Sequence, residues 1–169
     1  MKINKKYLIL LAIAGLIVSI DQATKLYVHS HFNLGESIVV IKNWFNLTYV
    51  RNPGAAFGFL STSPEAFRDI FFLSIPPLAL IFILYILKDV ASNDNIQIVA
   101  LSGIFGGAIG NYIDRLRFRY VIDFLDFHIY NKYTWPAFNV ADSAIVGGIA
   151  VLFLIMFRKD RSKNPEVTN

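Results

Sequence analysis

Four apolar stretches, at about residues 7–28, 67–87, 96–113 and 140–157, alternate along the chain with segments in which charged and aromatic residues gather. Each is close to the length that crosses the hydrocarbon of a bilayer as a helix, so the pattern predicts four transmembrane helices. The first follows Met1-Lys2-Ile3-Asn4-Lys5-Lys6 and has the outline of a secretory signal, with Ala12-Ile13-Ala14 as a cleavage site. The apolar run continues past that tripeptide unbroken, which favours an uncleaved span. Ser63-Pro64-Glu65 opens the second with a cap and a first-turn proline, and Pro76-Pro77 predicts a kink inside it. Gly103, Gly106, Gly107 and Gly110 give the third span small-xxx-small spacing and predict close packing on a neighbouring helix. The fourth closes with the basic tail Arg158-Lys159-Asp160-Arg161-Ser162-Lys163.

Two polar segments separate these spans on one side, residues 29–66 and 114–139. In the first, the run from Ile38 to Val50 is β-branched and aromatic, and too short and polar to span. It predicts one or two strands at the membrane interface, where Trp and Tyr are favoured. Arg51-Asn52-Pro53-Gly54-Ala55-Ala56-Phe57-Gly58 follows as a turn whose small residues let another backbone come close. The second segment mixes acids, bases and aromatics as an interfacial loop would.

Composition supports this outline. Of 169 residues, 55% are hydrophobic and 17% charged, and the mean hydropathy is +0.50. Such a chain is an integral membrane protein rather than a soluble domain. There are no cysteines, which excludes disulfides, thiolate metal sites and a cysteine nucleophile. The net charge of +4 does not call for a nucleic acid, because eight of the sixteen Lys and Arg lie in residues 1–6, 88–95 and 158–169. These short segments have the higher basic density, which puts both termini in the cytoplasm.

With that orientation, Asp21, Asn52, Asp114, Arg115, Asp123, Asp126, Asn139 and Asp142 all fall at the extracytoplasmic interface. Asp21 and Lys25, four apart in the favourable order, form either a structural ion pair or a brace for a polar site. Asp142 has a local explanation too: Asn139 caps the fourth helix and Asp142 lies in its first turn, near the positive end of the dipole. Capping alone does not explain why separate spans bring polar groups to one depth, and an ionisable residue at a membrane boundary suggests a functional site. Two carboxylates sharing a site do not both ionise easily, so one keeps its proton while the other acts as a base toward water. Spacing leaves open whether Asp114, Asp123 or Asp126 partners Asp142. Ser143 has no histidine near it in sequence, and His29-Ser30-His31 is better explained as interfacial loop than as a metal site. No metal and no other cofactor is expected. The rival class is a non-enzymatic membrane protein, a small transporter or helix-packing subunit whose acids carry protons or ions, but transporters place such groups near the midplane and carry internal repeats, and neither feature is found here.

Five stretches taken together, Asp21-Gln22-Ala23-Thr24-Lys25, Arg51 to Phe57, Gly106 to Arg115, Val121-Ile122-Asp123-Phe124 and Phe138 to Ser143, resemble the lipoprotein signal peptidases (signal peptidase II) of bacteria. The resemblance runs through nearly the whole chain in the family's order. It implies four transmembrane helices with a small extracytoplasmic β-cradle, in the bacterial cytoplasmic (inner) membrane. It implies an aspartic endopeptidase that cuts prolipoproteins before a diacylglyceryl-modified cysteine, with that precursor and membrane lipids as partners and no nucleic acid. By matching positions, Asp123 and Asp142 become the catalytic pair. Asn52, Gly54, Asn111, Arg115, Asn139 and Ala141 line or brace the site, with Asp21 and Lys25 stabilising it. Arg119 departs from the pattern, since the resemblance leads one to expect glycine there.

Overall fold

The computed structural model describes residues 4–54, 59–60, 62–130 and 132–163, the last five of these by backbone alone. Met1 to Ile3, the Ala55 to Gly58 part of the expected turn and the side chains of the basic tail beyond Arg158 lie outside the described residues. Four helices, α1 (Lys5–His31), α2 (Glu65–Asp89), α3 (Asn95–Phe118) and α4 (Val140–Lys163), are joined by strands β1 (Ser37–Ile41), β2 (Phe45–Asn52), β3 (Val121–Ile129) and β4 (Tyr133–Thr134). All four helices are long and apolar enough to cross a membrane.

Half of the most apolar window of α3 is buried, against 11–17% for the other three helices, so α3 is the central helix and the others turn most of their side chains to lipid. Its glycines make that position possible: a Cβ on Gly106 would meet Ala14 Cα of α1 at 2.8 Å. α2 runs without interruption through Pro76 and Pro77. Its N-cap is Pro64 with no side-chain cap, so the capping expected of Ser63 is not made.

At one end of the bundle, α1 is latched to the α2–α3 connection. The buried Lys6 donates to the carbonyls of Lys88 at 2.6 Å and Val90 at 3.1 Å, which have no intrahelical partner at the end of α2. Lys5 reaches Asn95 Oδ1 at 3.2 Å beside it.

At the other end lies an antiparallel sheet of order β1-β2-β3-β4. The β1–β2 hairpin turns at Asn43, whose φ of 70° is the left-handed geometry that asparagine tolerates. The 114–139 segment holds more regular structure than expected: the last turn of α3, the nine-residue β3 and the short β4. A second core of Val28, Tyr49, Ile122 and Phe124 packs the sheet onto α1. Both polar segments therefore meet at the same end of the bundle.

Candidate active site

α4 begins with a reciprocal cap. Asn139 Oδ1 accepts from the Asp142 amide at 2.9 Å, while Asp142 Oδ2 accepts from the Asn139 amide at 3.3 Å. The local explanation of Asp142 is thus correct for one of its oxygens. The other, Oδ1, accepts from Asn111 Nδ2 on α3 at 2.7 Å, which capping does not require.

Asp123 comes from the sheet. β2 bulges between Leu47 and Val50, and β3 pairs there so that Asp123 stands opposite Val50, two residues from Asn52. Asp123 is 1% exposed. Its Oδ2 accepts from Asn52 Nδ2 at 3.1 Å and its Oδ1 from Asn139 Nδ2 at 2.7 Å. The same Asn139 amide donates to Asn111 Oδ1 at 3.1 Å, so Asn111 and Asn139 connect the two aspartates. Burial, and then the charge of Asp142, push the Asp123 carboxyl up to about 7 against the pull of these amides. Asp142 is only half-buried, so the pair has one sheltered and one accessible carboxyl.

Beneath the pair lies a buried charge cluster. Lys25 Nζ is 2.9 Å from Asp21 Oδ2 and 3.1 Å from Asp114 Oδ2, and it donates to Asn111 Oδ1 at 2.9 Å. Each carboxylate has further donors: the Ala141 amide on Asp21 at 2.9 Å and the Ile122 amide on Asp114 at 3.0 Å. Gln22 spans the two, donating to Asp21 at 3.2 Å and Asp114 at 3.0 Å. Burying two acids with one base is tolerable only with such complete hydrogen bonding. A Cβ on Gly110 would stand 2.6 Å from Asp21 Oδ2, which is why a glycine faces this cluster.

Arg115 closes the remaining side. Its Nη2 donates to the Gly54 carbonyl at 3.1 Å and its guanidinium lies over the Phe72 ring. Gly54 in turn donates to Asn52 Oδ1 at 3.0 Å, an Asx turn that orients the asparagine toward Asp123.

All ten residues singled out in the sequence therefore meet at one end of the bundle: Asp123 and Asp142 joined through Asn111 and Asn139, Asp21, Lys25 and Ala141 below them, and Asn52, Gly54 and Arg115 beside them. Asp114, one of the candidate partners of Asp142, belongs to the same network but meets Lys25 instead, and Gln22 belongs to it without having been singled out. Gln22 had a visible signal, an amide next to Asp21 within an apolar span. Asp126 points elsewhere, accepting from Thr48 Oγ1 at 2.8 Å. Ser143 Oγ donates to the Asn139 carbonyl at 2.9 Å, His29 pairs with the Tyr49 hydroxyl, and His31 stacks on Tyr27.

The fold and this site define a multi-pass membrane protein with a sheltered aspartate pair under a small sheet. The family model for signal peptidase (SPase) II matches residues 13–158, and the chain belongs to that family. It is 49% identical over 161 residues to the lipoprotein signal peptidase of Syntrophus aciditrophicus, covering 95% of this chain and 99% of that one. With the lipoprotein signal peptidase of Desulforapulum autotrophicum it shares 46% identity over 149 residues, 87% of this chain and 91% of the relative. A solved bacterial membrane enzyme superposes with a TM-score of 0.81 at 34% identity, covering 95% of this chain and 93% of that one.

Proposed function

We propose that this chain is an aspartic endopeptidase that removes signal peptides from diacylglyceryl-modified prolipoproteins, cutting before the lipidated cysteine. Asp123 and Asp142 are its catalytic pair. The enzyme works at the extracytoplasmic face of the bacterial cytoplasmic membrane, with both termini inside. The observation that carries this reading is the connection of the two aspartates through Asn111 and Asn139.

In this mechanism a water lies between the carboxyls. Asp142 takes a proton from it as the oxygen attacks the scissile carbonyl. Asp123, which burial keeps protonated to about pH 7, donates to the developing oxyanion and then a proton passes to the leaving amine. Asn52 and Asn139 hold Asp123 in place, and Asn111 fixes Asp142. The charge cluster on Lys25 anchors Asn111 from below. A site at the end of the bundle suits a substrate whose signal helix lies in the bilayer and whose lipid holds the scissile bond at headgroup depth.

The test is cleavage of a lipidated precursor by the purified protein, followed as a gel shift, beside the same precursor without its diacylglyceryl group. The lipidated form should be cut and the bare form far more slowly, since the lipid supplies positioning energy. Equal rates would refute the lipid-directed reading, and no cleavage of either would refute the enzyme.

A further inference from the structure

Pro76 and Pro77 of α2 both lack a backbone N–H. In an α-helix the carbonyl of Leu73 accepts from residue 77, and in a tighter turn from residue 76, so this carbonyl has lost both of its usual donors. Inside a bilayer no water replaces them, and such a group is tolerated where a neighbouring helix supplies a donor. The donor here is Tyr112 of α3, whose hydroxyl reaches the Leu73 carbonyl at 3.2 Å. We propose that Tyr112 is a positioning residue for the aspartate pair: by this bond it holds the half of α2 before the prolines against α3, and so fixes the Phe72 ring on which Arg115 rests.

Burial alone fastens that half of α2 weakly. The buried residues of α2 are Phe72, Ile83 and Leu87, and the last two belong to the core at the Lys6 end of the bundle. Before the prolines only Phe72 is buried. Arg119, the left-handed C-cap residue of α3 with a φ of 65°, meets Asp69 of α2 at 3.7 Å, and both side chains are partly exposed. Two successive prolines are where a helix bends, so the place of Phe72 depends on the hydroxyl that holds the residue next to it.

Phe72 matters to the reaction through Arg115, whose guanidinium lies 4.8 Å from its ring centroid. Arg115 donates to the Gly54 carbonyl, and Gly54 donates to the Asn52 oxygen, which leaves the Asn52 amide aimed at Asp123. Tyr112 follows Asn111, which donates to Asp142. One turn of α3 therefore serves both acids, Asp142 directly and Asp123 by way of α2.

The inference rests on the peptidase reading, so the experiment measures kcat and KM for a lipidated precursor beside thermal unfolding of the full chain in detergent. Tyr112→Phe removes the hydroxyl and should lower kcat about tenfold with little change in KM, because it disturbs the geometry of the reacting groups rather than substrate capture. Pro77→Ala gives residue 77 an N–H directed at the Leu73 carbonyl. Added to Tyr112→Phe, it should bring kcat back to within about twofold of wild type and recover the melting temperature; alone it should match wild type, since a carbonyl accepts two hydrogen bonds. Pro76→Ala donates to the Phe72 carbonyl instead, and should leave the Tyr112→Phe defect in place. Unchanged kcat in Tyr112→Phe, no rescue by Pro77→Ala, or equal rescue by Pro76→Ala would overturn the proposal. Recovery of the melting temperature without kcat would make the bond a support of the fold only and overturn it too. No cleavage by wild type would refute the peptidase reading itself, and the positioning role with it. If Tyr112→Phe does not fold, the chain carrying Pro77→Ala as well still reads the rescue.

Discussion

Asn139 donates to Asn111 at 3.1 Å, and that bond joins two carboxyls that reach the site from a strand and from a helix start. Each asparagine serves an aspartate with its amide nitrogen, Asn139 to Asp123 and Asn111 to Asp142. On Asp123 the amide donors favour the carboxylate and so oppose the burial that holds its proton.

Replacing either acid by its amide separates capping from chemistry. In Asp142→Asn the single amide oxygen can serve the Asn139 amide or Asn111 but not both, so the stability loss should be about 1–2 kcal/mol. Cleavage of the lipidated precursor should nevertheless fall by about 100-fold or more, because the amide cannot exchange the proton. Asp123→Asn should do the same, and the double variant should be little worse than either, since the pair acts as a unit. Near-normal turnover by folded Asp142→Asn would leave it a capping residue only.

Asp123 should give the protein a pH dependence of known sign. Its carboxyl is raised from 3.8 unfolded to about 7 folded. The native state therefore holds a proton that the unfolded chain releases. The stabilisation this gives is fully present below pH 3.8 and is lost as pH rises toward 7. Asp123→Asn, which does not titrate, should melt above wild type at pH 8, and the gap should narrow on titration to pH 5. Wild-type turnover should fall above about pH 7, where Asp123 loses the proton it donates. Parallel melting curves for the two proteins would show that Asp123 titrates normally.

Lys25→Met should be the most damaging of the supporting changes. It leaves Asp21 and Asp114 buried without their cation, a loss of about 3–5 kcal/mol. Asp114→Asn removes one partner of the same cluster and should also lower the melting temperature clearly. Asp126→Asn keeps an acceptor oxygen for the Thr48 hydroxyl and only weakens a charge-assisted bond, so it should cost no more than about 1 kcal/mol with cleavage intact. Thermal unfolding in detergent ranks the three.

Arg119→Gly should stabilise the protein. The left-handed backbone costs a side-chain-bearing residue about 1–2 kcal/mol, whereas the long, half-exposed contact with Asp69 is worth less than about 1 kcal/mol. A higher melting temperature is expected, and a lower one would mean that the arginine contributes more than its backbone costs.

Orientation is tested by reporter fusions. Fusions after residues 60 and 130 should report extracytoplasmic, and fusions after residues 92 and 165 cytoplasmic. A cytoplasmic signal at 130 would place the aspartates on the wrong face for the proposed reaction.

The four spans were legible because each is one long apolar run that no other element explains. Asn139 and Asp142 were legible for a related reason, since a helix start has a local signature. Asp123 was not separable from Asp114 and Asp126 by spacing, as all three sit among similar neighbours. What distinguishes them is tertiary. The β2 bulge brings Asp123 beside Asn52, α3 delivers Asp114 to Lys25, and Asp126 meets Thr48 on the sheet. β3 itself was hidden because its buried positions include Asp123 and His128, which break the apolar alternation that marks a strand.

Lys6 and Lys25, both buried, lie near opposite ends of α1, one holding the α2 terminus and the other the charge cluster. At about 1.5 Å of rise per residue they stand about 28 Å apart along the axis, close to the roughly 30 Å of hydrocarbon in a bilayer. The first helix therefore carries a fixed point at each end of a stretch that matches the hydrocarbon in length. In a thicker bilayer the bundle cannot stretch between those points, so it meets the mismatch by drawing lipid inward around it. The aspartate pair, fastened to the Lys25 end through Asn111, keeps its place in the bundle as this happens.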